Sequence, residues 1–194
     1  MMQKGQSKMS NIQTAMNGAR ATGYVEVSEA AATGMITLRG DLSDAAVQKA
    51  VPSVLGAAIP ATLTLSEADA GRILWMSPDE LMIVCAYDQA DQIVSDLMAA
   101  LGDTHSMVVN VSDARAVFDL NGSATPEIIA KLAPIDVKTM AVGTVRRTRF
   151  AQIPAAFWMT SNDSARIICF RSVAEYMFNQ LRNCAQTGFE VGDW

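Results

Sequence analysis

The feature that most constrains this chain is an internal echo at a nearly fixed spacing. Leu38-Arg39-Gly40 is answered 82 residues later by Leu120-Asn121-Gly122, and Ile83-Val84-Cys85 after 84 residues by Ile167-Ile168-Cys169. Between them, Leu74-Trp75-Met76-Ser77 is answered after 83 residues by Phe157-Trp158-Met159-Thr160. Similarity at one period marks a duplicated supersecondary unit. The expected fold class is therefore α+β, with two duplicated β-α-β-β-β-α-β halves. Their sheets are largely antiparallel, and the helices lie on one face.

Hydrophobic periodicity fills in the elements. Strands are expected at Met35–Leu38, Thr62–Leu65, Arg72–Met76, Leu81–Ala86 and Met107–Val111. Ala46, Val47, Ala50, Val54 and Leu55 have helical spacing after a Ser43 or Asp44 cap, with Pro52 a candidate kink or stop. Ile93, Val94, Leu97, Met98 and Leu101 form a second helical stripe, stopped by Gly102. In the second half, Thr125 is the expected cap of a helix with Pro126 in its first turn. Strands follow at Val145–Gln152, Ala155–Thr160 and Arg166–Phe170, then a helix over Val173–Cys184. Residues 1–22, polar and aperiodic, are expected as a mobile arm. The halves then fall at 23–111 and 112–194, together one compact pseudo-duplicated unit of the 194 residues.

Composition removes several functions. Fifteen basic against twenty acidic residues give net charge −5, which argues against nucleic-acid binding through phosphates. His105 is the only histidine, so a multi-histidine metal site is excluded. Cys85, Cys169 and Cys184 lack CxxC spacing and fit a reducing compartment. No apolar run reaches the ~20 residues of a membrane helix, and no secretory signal opens the chain. A cytoplasmic protein without membrane contact is expected.

No residue set has the pattern of a catalytic centre. GxSxG, GxGxxG and GxxxxGK[ST] loops do not occur. Arg39-Gly40-Asp41 reads as a strand-to-helix turn. Trp75 and Trp158, taken as equivalent positions, read as core aromatics, with a pocket for a flat heterocycle as the other reading. Cys85 and Cys169 read as buried structural thiols, and His105 as an exposed loop residue. Arg146, Arg147 and Arg149 are the densest basic cluster. On a strand, Arg147 and Arg149 share a face and Arg146 takes the other. They suit a carboxylate tail or an acidic partner surface, or else the charges of a protected edge strand. Phe178, Phe189 and Trp194 exceed what a monomer's core needs and suggest a subunit interface. The candidate partner contacts are thus Arg146, Arg147, Arg149 and Trp194.

An ordered series of segments resembles one family. Gly34-Met35-Ile36-Thr37-Leu38-Arg39-Gly40-Asp41, the run Trp75 to Val84, and Val111-Ser112-Asp113-Ala114-Arg115 resemble the γ subunit of heterotetrameric sarcosine oxidase. So do Pro134-Ile135-Asp136-Val137, the run Thr148 to Pro154, and Arg171-Ser172-Val173-Ala174-Glu175-Tyr176. The resemblance covers about residues 23 to 185 and implies the folate-binding fold of the glycine-cleavage T-protein. It implies a complex that oxidises the N-methyl group of sarcosine to give glycine, hydrogen peroxide and, with tetrahydrofolate, 5,10-methylenetetrahydrofolate. FAD, FMN, NAD, zinc and tetrahydrofolate are then expected in the other subunits, with no catalytic residue here. The expected partners are the α, β and δ subunits. The alternative is a stand-alone tetrahydrofolate-binding or aminomethyltransferase-like protein, in which Asp113 or Asp136 would serve as the acid.

Overall fold

Two spacings of apolar residues, near 2 and near 3.6, divide the chain into strands and helices. The computed structural model describes residues 12–192. In chain order it contains β1 (Arg20–Ala21), β2 (Glu26–Glu29), β3 (Thr33–Gly40), α1 (Ala45–Leu55), β4 (Leu65–Ala68) and β5 (Gly71–Ser77). Next come β6 (Glu80–Ala86), α2 (Ala90–Leu101), β7 (Ser106–Asn110), β8 (Arg115–Asn121) and α3 (Thr125–Leu132). The chain finishes with β9 (Val145–Phe150), β10 (Ile153–Ser161), β11 (Ser164–Phe170) and α4 (Ala174–Cys184).

These elements form an α+β fold with two antiparallel sheets. The first is ordered β4-β5-β6-β3-β7 and the second β9-β10-β11-β8-β2-β1. Helices α1 and α2 cover the outer face of the first sheet through Val47, Val51, Ile93 and Leu97. Helices α3 and α4 cover the second through Ile128, Ile129, Met177 and Leu181. The inner faces meet in a seam that buries Met35, Leu74, Met82, Val117, Trp158 and Ile168. Central strand β6 is therefore apolar on both faces, and its first six residues are buried. Such a strand reads as an uninterrupted hydrophobic run rather than an alternation.

The second half ends at α4 without a closing strand among the described residues, and its place is taken from the other end of the chain. β7 flanks β3 in the first sheet; β2 flanks β8 in the second with the same antiparallel sense. Leu38 faces Val108, and its counterpart Leu120 faces Val27. The apolar residues of β2 complete the core under α4, with Val25 and Val27 buried. Gly23 makes the join possible. Tyr24 N–H donates to Ala185 O at 3.0 Å, and a Cβ on Gly23 would lie 1.8 Å from that oxygen.

Several expectations change at this level. The polar arm expected to be mobile over 1–22 is, from Ile12 on, held to the second sheet; residues 1–11 lie outside the described residues. Buried Glu29 accepts from Thr14 Oγ1 at 2.7 Å, Gly18 N at 2.8 Å and Met16 N at 2.9 Å. Pro52 lies inside α1 and does not end it, and Asp44 caps the helix by accepting from Ala46 N at 2.7 Å. Thr125 does not cap α3. It is fully buried, and its hydroxyl donates to Asp163 O at 3.0 Å, tying the helix to the β10–β11 turn.

The two tryptophans are not equivalent. The hairpin ends Ser77–Glu80 and Ser161–Ser164 are counterparts 84 residues apart, which aligns Trp158 with Leu74. Since side chains alternate along a strand, one position of offset sends Trp75 to the helix side and Trp158 into the seam.

Candidate functional site

The arginine-rich strand β9 lies at the edge of the second sheet. Val145 points into the seam and Phe150 under the helices, so Arg147 and Arg149 extend the inner face and Arg146 the outer. Arg147 Nη1 donates to Glu80 Oε2 on β6 at 3.0 Å, joining the two sheets. Glu80 is buried although Arg147 is largely exposed. Arg146 is half-buried and donates to the carbonyl of Val145 at 2.9 Å. Arg149 is exposed beside Pro154, its partner in the β9–β10 register.

A third arginine completes this end of the seam. Arg115 opens β8 opposite Phe170 on β11, with its guanidinium carbon 3.9 Å from the centre of the Phe170 ring. Burial pulls its pKa below the ordinary arginine range, with Glu80 opposing and Arg147 reinforcing the shift. Its Nε is buried with no acceptor in hydrogen-bonding distance. Another arginine on this face, Arg166, differs: both oxygens of Asp119 accept from it, at 2.6 and 2.9 Å. Arg115, Arg147, Glu80 and Phe170 surround an open pocket of about 60 Å³ floored by Met76, Met82 and Ile168. Neither Arg115 nor Glu80 stands out in the sequence. The pocket brings together segments around residues 80, 115, 147 and 170 through the strand order of the second sheet and its packing against β6.

The remaining candidates are placed without forming a reaction centre. Asp113 accepts from Tyr87 Oη at 2.9 Å, and Asp136 accepts from Lys138 N at 3.2 Å in a short turn. His105 is exposed between α2 and β7. Cys85 and Cys169 are buried, and burial pushes the Cys169 thiol up to about 12, with Arg115 opposing. Phe178 belongs to the core, its ring 6.1 Å from that of Phe118, while Phe189 is exposed. Trp194 lies outside the described residues. Among the described residues no group of three His, Cys, Asp or Glu side chains is arranged for a metal ion.

Two pockets along the seam hold about 30 and about 60 Å³, against the ~300 Å³ at the small end of ligand pockets. The wider hollows, beside His105 and beside Trp75, are open surface.

Stacked antiparallel sheets with paired helices outside place the chain in the aminomethyltransferase-like class of folds. It superposes on the glycine cleavage system aminomethyltransferase T from Bartonella henselae with TM-score 0.64 and 12% identity, covering 82% of this chain and 45% of that one. At that identity the likeness is one of fold.

Residues 39–187 match the model of the sarcosine oxidase, gamma subunit family, and the chain belongs to that family. It is 29% identical over 158 residues to sarcosine oxidase subunit gamma from Corynebacterium sp. (strain P-1), covering 80% of this chain and 76% of the relative. The corresponding Arthrobacter sp. subunit is 28% identical over 162 residues, with 81% and 78% covered. Among solved structures, it is similar to a chain of the heterotetrameric sarcosine oxidase from Corynebacterium sp. U-96. There the TM-score is 0.78 at 25% identity, covering 90% of this chain and 91% of that one. No helix among the described residues is long and apolar enough to cross a membrane.

Proposed function

We propose that this chain is the non-catalytic γ subunit of a heterotetrameric sarcosine oxidase. In this reading the complex demethylates sarcosine to glycine with hydrogen peroxide and, when tetrahydrofolate is present, 5,10-methylenetetrahydrofolate. The chain's part is assembly: residues 23–111 and 112–194 act as one unit whose surface meets the α, β and δ subunits in the cytoplasm. FAD, FMN, NAD, zinc and tetrahydrofolate are held by those subunits. The observation that carries the reading is the match along nine-tenths of both chains to a component of such a complex. The small volumes along the seam, about 30 and about 60 Å³, are in keeping with it. The proposed contact groups are Arg146, Arg147, Arg149 and Trp194, of which Arg147 and Arg149 have exposed side chains.

Co-expression with the α, β and δ chains tests this. The expected result is copurification at one copy each, and loss of assembly or oxidase activity when this chain is left out. A chain that never copurifies refutes the reading. Sub-micromolar tetrahydrofolate binding by the isolated chain, or unaided turnover of sarcosine, would replace it with a stand-alone folate protein.

A further inference from the structure

We propose that Arg115 and Arg147 form a binding site for a single carboxylate group at the open end of the seam between the two sheets. Arg115 has no acceptor at its buried Nε, and its one acidic neighbour in the pocket, Glu80, is held by Arg147. The Arg115 guanidinium is fixed from below by the Phe170 ring at 3.9 Å. A buried donor without an acceptor is costly and calls for an explanation, and beside a pocket lined by a second arginine an incoming anion is one. Arg166 on the same face shows the satisfied state, gripped by both oxygens of Asp119. A planar guanidinium fork matches a carboxylate in the same way.

Charge and size narrow the ligand. Two guanidiniums facing one carboxylate, Glu80, leave one positive charge, which a monoanion neutralises. A dianionic phosphate would be repelled by Glu80. The pocket of about 60 Å³ is several times the ~10–15 Å³ that holds one water, room for a small group such as a carboxylate. Met76, Met82, Ile168 and Pro154 give it an apolar lining. The group comes either from a small free carboxylate or from an acidic side chain of another subunit, and the chemistry of recognition is the same.

Titration of the full chain with sodium acetate, followed by NMR at the arginine Nε–Hε resonances, tests the site. Saturable movement of the Arg115 resonance is expected at roughly millimolar acetate, with no such movement from equal chloride or acetamide. Arg147→Gln alters an exposed side chain and should weaken acetate about tenfold, the loss of about one charge-assisted hydrogen bond. An Arg115 resonance that stays still, or responds equally to chloride, overturns the proposal. Repeating the titration on the assembled complex distinguishes the sources. Continued response to acetate identifies a free ligand, and a shifted resonance deaf to acetate identifies a subunit's side chain. The first titration needs no partner, so its failure is separate from any failure of the assembly reading.

Discussion

Arg147 and Glu80, 67 residues apart, form the ion pair that bridges the two sheets at the open end of their seam, Nη1 to Oε2 at 3.0 Å. Its two ends are unequally placed, with side-chain exposures of 56% for Arg147 and 9% for Glu80. Exposed pairs contribute ~0–1 kcal/mol, whereas breaking a fully buried pair costs ~3–5 kcal/mol. Arg147→Ala should therefore cost about 1–2 kcal/mol, because it leaves the buried Glu80 carboxylate facing only Arg115. Adding Glu80→Gln should recover part of that loss. Urea unfolding of the two single variants and the double variant checks this, and strict additivity would show that the groups do not interact.

Gly23 is fixed by the chain crossing rather than by a turn. A methyl group there would meet the Ala185 carbonyl oxygen at 1.8 Å, a backbone atom that cannot swing aside. Gly23→Ala should destabilise by at least the ~1–3 kcal/mol typical of overpacking. A thermal melt within a degree of the parent protein would contradict the described path of β2.

Glu127 on α3 anchors the C-terminal segment. It accepts from Tyr24 Oη at 3.0 Å and Val191 N at 2.9 Å and pairs with Lys131 at 2.7 Å. Burial pushes its pKa up, but the Lys131, Val191 and Tyr24 hydrogen bonds outweigh this and hold it below the ordinary glutamate range. A carboxyl whose pKa is depressed by folding stabilises fully above its unfolded value and loses that contribution as pH falls through the folded one. The parent protein should therefore lose stability faster than Glu127→Gln between about pH 5 and pH 3. Parallel pH dependences for the two proteins would remove Glu127 from the account.

Trp158 is buried in the seam, and its indole Nε1 has no acceptor. Trp158→Ala should cost the usual ~3–5 kcal/mol of a large core truncation. Trp158→Phe also deletes the unpartnered N–H, a relief of ~1–3 kcal/mol that offsets the smaller ring. We expect Phe to be tolerated within about 1 kcal/mol of the parent, measured by urea unfolding. A Phe variant as unstable as Ala would mean that the N–H is satisfied after all.

The closing strand leads to a topological prediction. Because β2 starts where α4 ends, a permutant joining Ala185 to Tyr24 through a short linker, and opened between Asp103 and Thr104, keeps every strand pair except β1–β2. It should fold cooperatively with the parent's far-ultraviolet circular dichroism. An unfolded permutant would show that the arm before Tyr24 or the segment after Ala185 is indispensable.

Much of this architecture is legible in local pattern. Val47, Ala50, Val51 and Leu55 give α1 its buried stripe, and the continuous run in β6 reflects burial on both faces. The duplication is visible because Leu38 and Leu120, or Ile83 and Ile167, meet the same demand in each half. The tryptophan alignment fails because similarity of residue type tolerates a slip of one, whereas a strand's pleat does not. β2 is hidden in a polar stretch; its signal is the alternation of Val25 and Val27 with Glu26 and Ser28, too short to outweigh the surrounding composition. The Arg115 pocket could not be foreseen, since it is produced by strand register and not by any motif.

Borrowing β2 also sets an order of events on the ribosome. Val25 and Val27 leave the tunnel early, yet the strand they pair with, through Val27–Leu120, emerges some 93 residues later. At ~5–20 residues per second, that is a wait of about 5–20 s with an apolar strand uncovered. The first sheet can close during synthesis, but the second cannot begin to do so until its middle has been made. The interval in which newborn chains of this protein are open to aggregation is thus written into where its last structural position is filled from.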